Sequence, residues 1–593
     1  MILQIIQQIL GIILFLLSGI LLSYIVFSKT DIIKRVVYSI VLAVSVLTIL
    51  GVFLYLLNLL TSTNTILSLI FLILLFLLIL KSKDRQYKTH FNRDIWYLLF
   101  FSLIGTAFRF WFVKSIKNFG DAYNYAFEFV GKTVPNLGFY TGMATDHSRY
   151  IGSGVVSSIS NILGLSNQLL SIFLITFVFL GFVYLIFSTF RNKKLAYLGV
   201  ALMALGPIEI FHNTLSIGIG SLSYISLFSL FLLFKTEDKN IFWIALLLAI
   251  VMMFTYYTAS MIMFLTSTGF IFALFIKDLI RTRKLTETFK NSLTNKKIRA
   301  FLLIAIIVAS YTYIFSNMMV YTFARIEDFS DVKKSSFTIT EPITKASIIE
   351  TITKVSTNNY KGPTFFGLSA VGWQEVFFFL CGLTFIFHIV RKRNFSENNI
   401  DLLLCLIPIS IVSYGFFHVN LPTRIFNYFA FFGLLVINIP KKYFKIFFIL
   451  SFIFILITSF YFAKDKRIFF ETSDKEIEGA LWISNSLQGK VFSDQRFIGR
   501  LILEGYYNVT GATDDDPLVY NLFYQNDSSI FLDAINILNV DLSVDYIVLT
   551  EKMQKQYILM LDFPQKPLIN TELYEENLIK VYDNGDVKVY KIN

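Results

Sequence analysis

Long stretches of apolar residues, each closed by a short polar turn, set the rhythm of this chain from its first residues to about position 463. A helix that crosses a bilayer needs roughly 20 apolar residues in succession. Runs of this kind stand at 2–27, 36–60, 66–80, 95–114, 167–190, 195–210, 217–234, 241–256, 258–276, 300–316, 374–390, 400–417, 424–439 and 443–463. They predict about 14 transmembrane helices, and so a polytopic α-helical membrane protein. Beyond 463 the periodicity changes. Residues 475–487 have helical spacing, 490–493 and 545–549 read as strands, and 581–590 reads as a hairpin around Asn584-Gly585. Alternating helix and strand signals predict a small soluble α/β domain over 464–593. No internal repeat of fixed period is visible, and 281–299 reads as a Lys/Thr-rich loop.

Composition agrees with that pattern: 55% of residues are hydrophobic, 65 are Phe and only 16% are charged. A net charge of +12 would suit a nucleic-acid partner. Its distribution argues otherwise. Lys29, Lys34 and Arg35, then Lys81 to Arg93, Arg191 to Lys194, Arg281 to Arg299, Arg391 to Arg393 and Lys441 to Lys445 all fall in alternate short loops. By the positive-inside rule these loops are cytoplasmic, and the charge is a topology signal. The alternation closes only if 150–165 lies on the outer face without crossing. Segments 115–166, 317–373 and 464–593 are then extracytoplasmic. The first run lacks a basic start and is too long for a signal-peptide core, so it reads as a retained helix. Cys381 and Cys405 both fall in apolar runs, without metal-site spacing and out of reach of the polar domain.

Candidate chemistry gathers at the outer rims. In Phe119-Gly120-Asp121-Ala122-Tyr123 an acid follows a span directly. A carboxylate there is costly unless it meets water, a cation or a partner. Asp121 can serve as a general base or hold a divalent cation, Mg or Mn, that binds a phosphate; it can also cap a helix starting at Ala122. Tyr123, Glu128, Asp146, His147 and Arg149 share its loop. Glu209 and His212 follow Gly206-Pro207 at the outer end of the sixth run and offer a second acid or cation ligands. Arg424, with His418 just before it, opens a span from outside. Its planar fork suits a phosphate group or a lipid headgroup, and Arg109 stands near the outer end of its own span to do similar work. Glu375 and Asp401, near span ends, read as solvated boundary residues.

This layout over 95–593 resembles the GT-C superfamily of integral-membrane glycosyltransferases. A span leads into a long first outer loop with an acid near its start, more spans follow, and an extracytoplasmic domain closes the order. The resemblance implies that Asp121 is the catalytic base or a metal ligand. Thr338-Ile339-Thr340-Glu341 is similar to the TIxE pattern of the oligosaccharyltransferase branch and places Glu341 among the substrate contacts. Ala480-Leu481-Trp482-Ile483 is similar to the start of that branch's soluble domain. At the place of its WWDYG motif the chain departs, reading Asp494-Gln495-Arg496-Phe497-Ile498. No DxD-type motif follows the sixth run, where Glu209 stands. The implied organisation is three additional helices over 1–94, a GT-C-like transmembrane domain over 95–463 and the soluble domain over 464–593. The implied activity is sugar transfer from a polyprenyl-phosphate carrier to a glycan, lipid or protein acceptor in the cell envelope. Three readings compete with it: an oligosaccharyltransferase-like enzyme, a lipid or polysaccharide flippase or transporter, and a catalytically inactive scaffold. A transporter would line a midplane path with charge, whereas the ionisable residues here collect at rims.

Overall fold

The computed structural model describes residues 2–57, 59, 61–82, 88–115, 168–206, 219–255, 257–314, 370–392, 399–405, 433–470, 472–504, 506, 508–511, 517–556, 558–560, 563–565, 568 and 570–592. They form two compact units, one built from the helices up to Phe462 and the other chiefly from Ala463 onward.

The first unit is helical. Its helices are α1 (Ile2–Val26), α2 (Ile32–Leu56), α3 (Ser62–Ser82), α4 (Asp94–Ser115), α5 (Gln168–Phe190), α6 (Lys193–Leu205) and α7 (Ile219–Lys235). α8 (Lys239–Thr255), α9 (Tyr257–Thr282), α10 (Leu285–Thr294), α11 (Lys296–Ile314), α12 (Ala370–Lys392) and α13 (Phe444–Phe470) complete it. Each expected apolar run coincides with a helix, save 400–417 and 424–439, most of which lies outside the described residues, as does 150–165. Among the described residues, six helical stretches are long and apolar enough to cross a membrane: Ile9–Val26, Ile32–Leu54, Thr63–Ser82, Ile172–Phe190, Ile262–Thr282 and Lys441–Tyr461. α5 is largely enclosed by protein. α3 instead exposes Leu67, Phe71, Leu74 and Leu78 along one stripe, a face suited to hydrocarbon rather than water.

Helix ends that carry basic residues meet one another. Strand β1 (Lys29–Asp31) pairs in parallel with β2 (Lys88–His90). Lys34 Nζ lies 3.0 Å from Asp238, and Lys193 Nζ lies 3.0 Å from Asp94. Asp94 also accepts hydrogen bonds from the hydroxyls of Tyr184 and Tyr197 (2.8 Å). Arg191 donates to the Ile437 carbonyl at 2.8 Å, and Lys297 to that of Phe234 at 3.0 Å. The basic loops that the sequence puts on one side are thus joined by direct contacts.

Two expectations are corrected here. Asp401 is not a solvated boundary residue. Its side chain is 8% exposed and lies 3.0 Å from Lys235 Nζ, with Lys277 on its other oxygen. A carboxylate can stay buried between two ammonium groups, and nothing local to 401 reveals that lysines from α7 and α9 converge on it. Nor is 281–299 only a loop, since it contains α10.

The second unit contains helices on both faces of a mixed sheet. Its elements are α14 (Asp474–Ser486), β3 (Val491–Ser493), α15 (Gln495–Leu503), β4 (Val509–Gly511), α16 (Pro517–Tyr524), α17 (Ser528–Val540) and β5 (Tyr546–Thr550). α18 (Glu551–Lys555), β6 (Ile558–Met560), β7 (Phe563–Gln565), α19 (Thr571–Asn577), β8 (Ile579–Asp583) and β9 (Val587–Lys591) follow. The strand order is β4-β3-β5-β9-β8, and β6 pairs separately with β7. β3 runs parallel to β4 and β5, while β9 runs antiparallel to β5 and β8.

Alternation along the strands builds two cores. Phe492, Ile547, Leu549 and Tyr590 join Phe531 and Leu538 of α17 on one face. Val491, Val548, Val587 and Val589 join Ile483 of α14 and Phe497 of α15 on the other. The β8–β9 turn uses the residues that the sequence singles out: Gly585 has φ +91°, and Asn584 Oδ1 accepts from Val587 N at 2.9 Å.

A buried ionic network ties α14 to the end of this sheet. Ser473 and Glu476 cap the start of α14 reciprocally. The other Glu476 oxygen lies 2.7 Å from Arg496 Nη1, and Arg496 Nη2 donates to Thr550 Oγ1 at 2.9 Å. Asp494 accepts from Phe497 N at 3.0 Å, capping α15. Removing one partner of a buried pair leaves the other charge without compensation, at a cost of about 3–5 kcal/mol. Arg496→Ala is therefore expected to destabilise this unit by about that amount, read as faster hydrogen exchange across β3 and β5 in the purified full chain. Exchange unchanged in both strands would strip the network of that role.

Candidate functional site

Arg109 is described among the residues that the sequence selects. Asp121, Tyr123, Asp146, His147, Glu209, His212, Glu341, His418 and Arg424 lie outside the described residues. The site is therefore built from Arg109 outward.

α4 starts at Asp94, in the ionic layer. Arg109 comes 15 residues later, which at 1.5 Å per residue is roughly 22 Å along the helix. Its side chain is fully buried. Nη1 donates to the Ala204 carbonyl at 2.9 Å, and Nη2 to the Met203 carbonyl at 3.3 Å. These carbonyls belong to the last turn of α6, whose final hydrogen bond runs from Gly206 N to Leu202 O at 3.0 Å. The last carbonyls of a helix have no partner within it and form the negative end of its dipole. Arg109 supplies both the donors and the charge.

The length of α6 makes that supply necessary. It begins at the ionic layer, capped by Asn192, which accepts from Leu195 N at 3.0 Å. Its 13 residues rise only about 20 Å, and the residues that end it, Met203 to Leu205, are buried. In hydrocarbon an unpaired carbonyl costs several kcal/mol.

Gly105 makes the contact possible. A helical side chain leans toward the preceding turn, so Arg109 lies over the residue four before it. A Cβ at 105 would stand 2.5 Å from Arg109 Nη1, 2.8 Å from the Ala204 oxygen and 3.1 Å from Thr176 Cγ2. Only a bare backbone admits the guanidinium and the end of α6 together.

α12 and α13 meet beside the same end. A Cβ at Gly206 would be 3.4 Å from Ile455 Cγ2 and 3.9 Å from Gln374 Oε1. Gln374 donates from Nε2 to Thr458 Oγ1 at 2.8 Å and to Ser459 Oγ at 2.9 Å. These polar groups stand at the end of the unit away from the ionic layer. Glu209 stands three residues beyond Gly206 in sequence, outside the described residues.

Sequence reasoning chose Arg109 and missed Gly105, Gln374, Thr458 and Ser459. A glycine four residues before an arginine on one helix face is the signal that was available for the first. The hydroxyls gave none, because Ser and Thr occur throughout the apolar runs. Among the described residues, no three His, Cys, Asp or Glu side chains gather closely enough to hold a metal ion. The acids and histidines expected to bind a divalent cation lie outside those residues.

No family model matches this chain, and no curated protein matches it either. Solved structures similar to it include the archaeal oligosaccharyltransferase AglB from Archaeoglobus fulgidus in complex with an inhibitory peptide and a dolichol-phosphate, at 12% identity and a TM-score of 0.46, covering 78% of this chain and 69% of that one. The Archaeoglobus fulgidus oligosaccharyltransferase with Zn and sulfate is 14% identical at a TM-score of 0.46, covering 77% and 68%. Its form tethered by a disulfide to an acceptor peptide containing the NVT sequon is 12% identical at 0.47, covering 84% and 74%.

Proposed function

We propose that the protein is a GT-C-type membrane glycosyltransferase that moves a sugar from a polyprenyl-phosphate-linked donor to a glycan, lipid or protein acceptor on the extracytoplasmic face. In this reading about 14 helices cross the membrane, and segments 115–166, 317–373 and 464–593 share the outer side. The observation that carries it is the early end of α6 on Arg109. Backbone that leaves a helix at membrane depth is tolerated only inside protein or beside a wet cavity, and Glu209 and His212 follow that end directly in sequence. The end of the unit opposite the ionic layer is therefore where a polar recess for a phosphate and a sugar is best supported.

The chemistry is a displacement at the sugar's anomeric carbon. The acceptor heteroatom forms the new bond, the carbon–oxygen bond to phosphate breaks, and the polyprenyl phosphate leaves with the electron pair. Asp121 takes the acceptor's proton. Arg424 holds the phosphate through two parallel donors, countering the charge that builds on it. Tyr123, His418 and Glu341 contact substrate. Glu209, Asp146, His147 and His212 are the candidates to hold a divalent cation, which would stabilise phosphate charge when bound. Arg109 is a positioning residue: it fixes the end of α6 and so the start of the segment bearing Glu209.

Three substitutions test these roles in the purified full chain with labelled polyprenyl-phosphate sugar. Asp121→Asn keeps shape and capping ability, so it should insert normally while transfer falls by about 10²- to 10⁴-fold; full turnover would sink the assignment. Arg424→Lys retains charge without the planar fork, and donor affinity should weaken at normal protein level. If turnover and affinity both stay at the parent level, Arg424 faces bulk lipid instead. Gly105→Ala pushes a methyl to 2.8 Å from the Ala204 oxygen. Overpacking of that kind costs about 1–3 kcal/mol, so both the thermal transition and turnover should drop although no substrate contact is altered. A drop in stability alone would separate the end of α6 from catalysis.

A further inference from the structure

α10, the ten-residue helix between α9 and α11, has its polarity reversed relative to a helix in a water-soluble protein. The positions packed against protein are polar: Thr288 is 0% exposed and Ser292 7%. Thr288 shares a 2.7 Å hydrogen bond with Thr282 at the end of α9. Every apolar position of the helix is left open, alongside the polar Thr286, Glu287, Lys290, Asn291 and Thr294. Leu285 is 58% exposed, Phe289 53% and Leu293 74%, and their spacing of four puts them along one stripe beside the packed face. Phe289 meets the ring of Phe275 on α9, at 5.1 Å between centroids. Hydrophobic collapse would have turned this helix the other way.

Charge surrounds the stripe. Residues 281–299 carry Arg281, Arg283, Lys284, Lys290, Lys296, Lys297 and Arg299 against a single acid, Glu287. Glu287 pairs with Lys284 at 3.2 Å, and Lys297 is engaged with the Phe234 carbonyl. Arg283, Lys290, Lys296 and Arg299 are exposed. Lys290 stands one turn from Leu293 and borders the stripe. On either side the chain continues into faces suited to lipid: Ile280 of α9 is exposed, as are Leu302, Leu303 and Ile306 of α11.

We propose that α10 is an interfacial helix that lies at the cytoplasmic surface of the bilayer, its Leu285–Phe289–Leu293 stripe among acyl chains and its basic flank on anionic phospholipid headgroups. Topology signalling explains the presence of positive charge in this loop but not the outward apolar stripe; a negatively charged lipid surface accounts for both, since basic amphipathic helices bind there through buried apolar area and charge together. The ion-pair layer makes this contact consequential. Lys277, four residues before Arg281 on α9, sits on Asp401 together with Lys235 of α7, so lipid that draws on α10 acts on the helix end that closes the layer.

The test uses the full chain with bimane on Leu293→Cys or on Asn291→Cys, the native Cys381 and Cys405 being buried. Each protein is placed in vesicles of phosphatidylcholine alone or mixed with phosphatidylglycerol, and quenched by brominated lipid or by aqueous iodide. Bimane at 293 should be quenched by brominated lipid, more strongly with phosphatidylglycerol, while bimane at 291 should answer to iodide. Lys290→Glu in the 293 background should weaken the response to phosphatidylglycerol by roughly fivefold or more. Iodide quenching at 293 in both vesicle types would overturn the proposal, as would protection from both quenchers, which would mean that a second copy or another protein covers the stripe.

Discussion

A helix that ends inside a protein must hand its last carbonyls to a donor, and here that requirement organises one end of the helical unit. The last residues of α6 are buried in the protein, so its end must be met from another helix. Arg109 meets it with two aligned donors and a full charge. The guanidinium in turn dictates glycine at 105, because the same volume has to hold the end of α6. Gln374 and the hydroxyls of Thr458 and Ser459 extend the polar surroundings onto α12 and α13. α4 thus answers the needs of one helix terminus, and α12 and α13 pack beside it.

The two ends of the helical unit solve different problems. At one, carboxylates and ammonium groups neutralise each other directly, as at Asp401 with Lys235 and Lys277. That arrangement fixes helix ends and leaves little charge for a ligand. At the other, the guanidinium of Arg109 donates to the carbonyls that end α6.

How much of this was legible in the sequence follows from the kind of force involved. Apolar runs gave the positions of the helices to within a few residues, because a continuous stretch needs no partner to declare itself. The strand at 545–549 and the hairpin at 581–590 were equally plain, carried by alternation and by Asn584-Gly585. Contacts between distant segments were not. Asp401 read as solvated because its lysines are 166 and 124 residues away. α10 read as loop because Lys and Thr dominate the surrounding segment 281–299, although Leu285, Phe289 and Leu293 already had helical spacing. Arg109 was chosen as a ligand-binding group, and sequence alone could not disclose that α6 would end against it. Most of the chosen site residues fall in the outer segments, for which apolar periodicity offers no guide.

The strand order of the soluble unit also constrains how it is made. β5 is buried on both faces, yet one of its edges is completed by β9, which begins at Val587, while the strand itself ends at Thr550. As the chain emerges in order, β5 therefore presents a bare row of amides and carbonyls throughout the synthesis of 551–586. An unpaired edge invites pairing with other chains. The nascent unit must then be kept apart from its neighbours until 587–591 arrives, so that crowding at the site of insertion, more than final stability, sets the yield of properly folded protein.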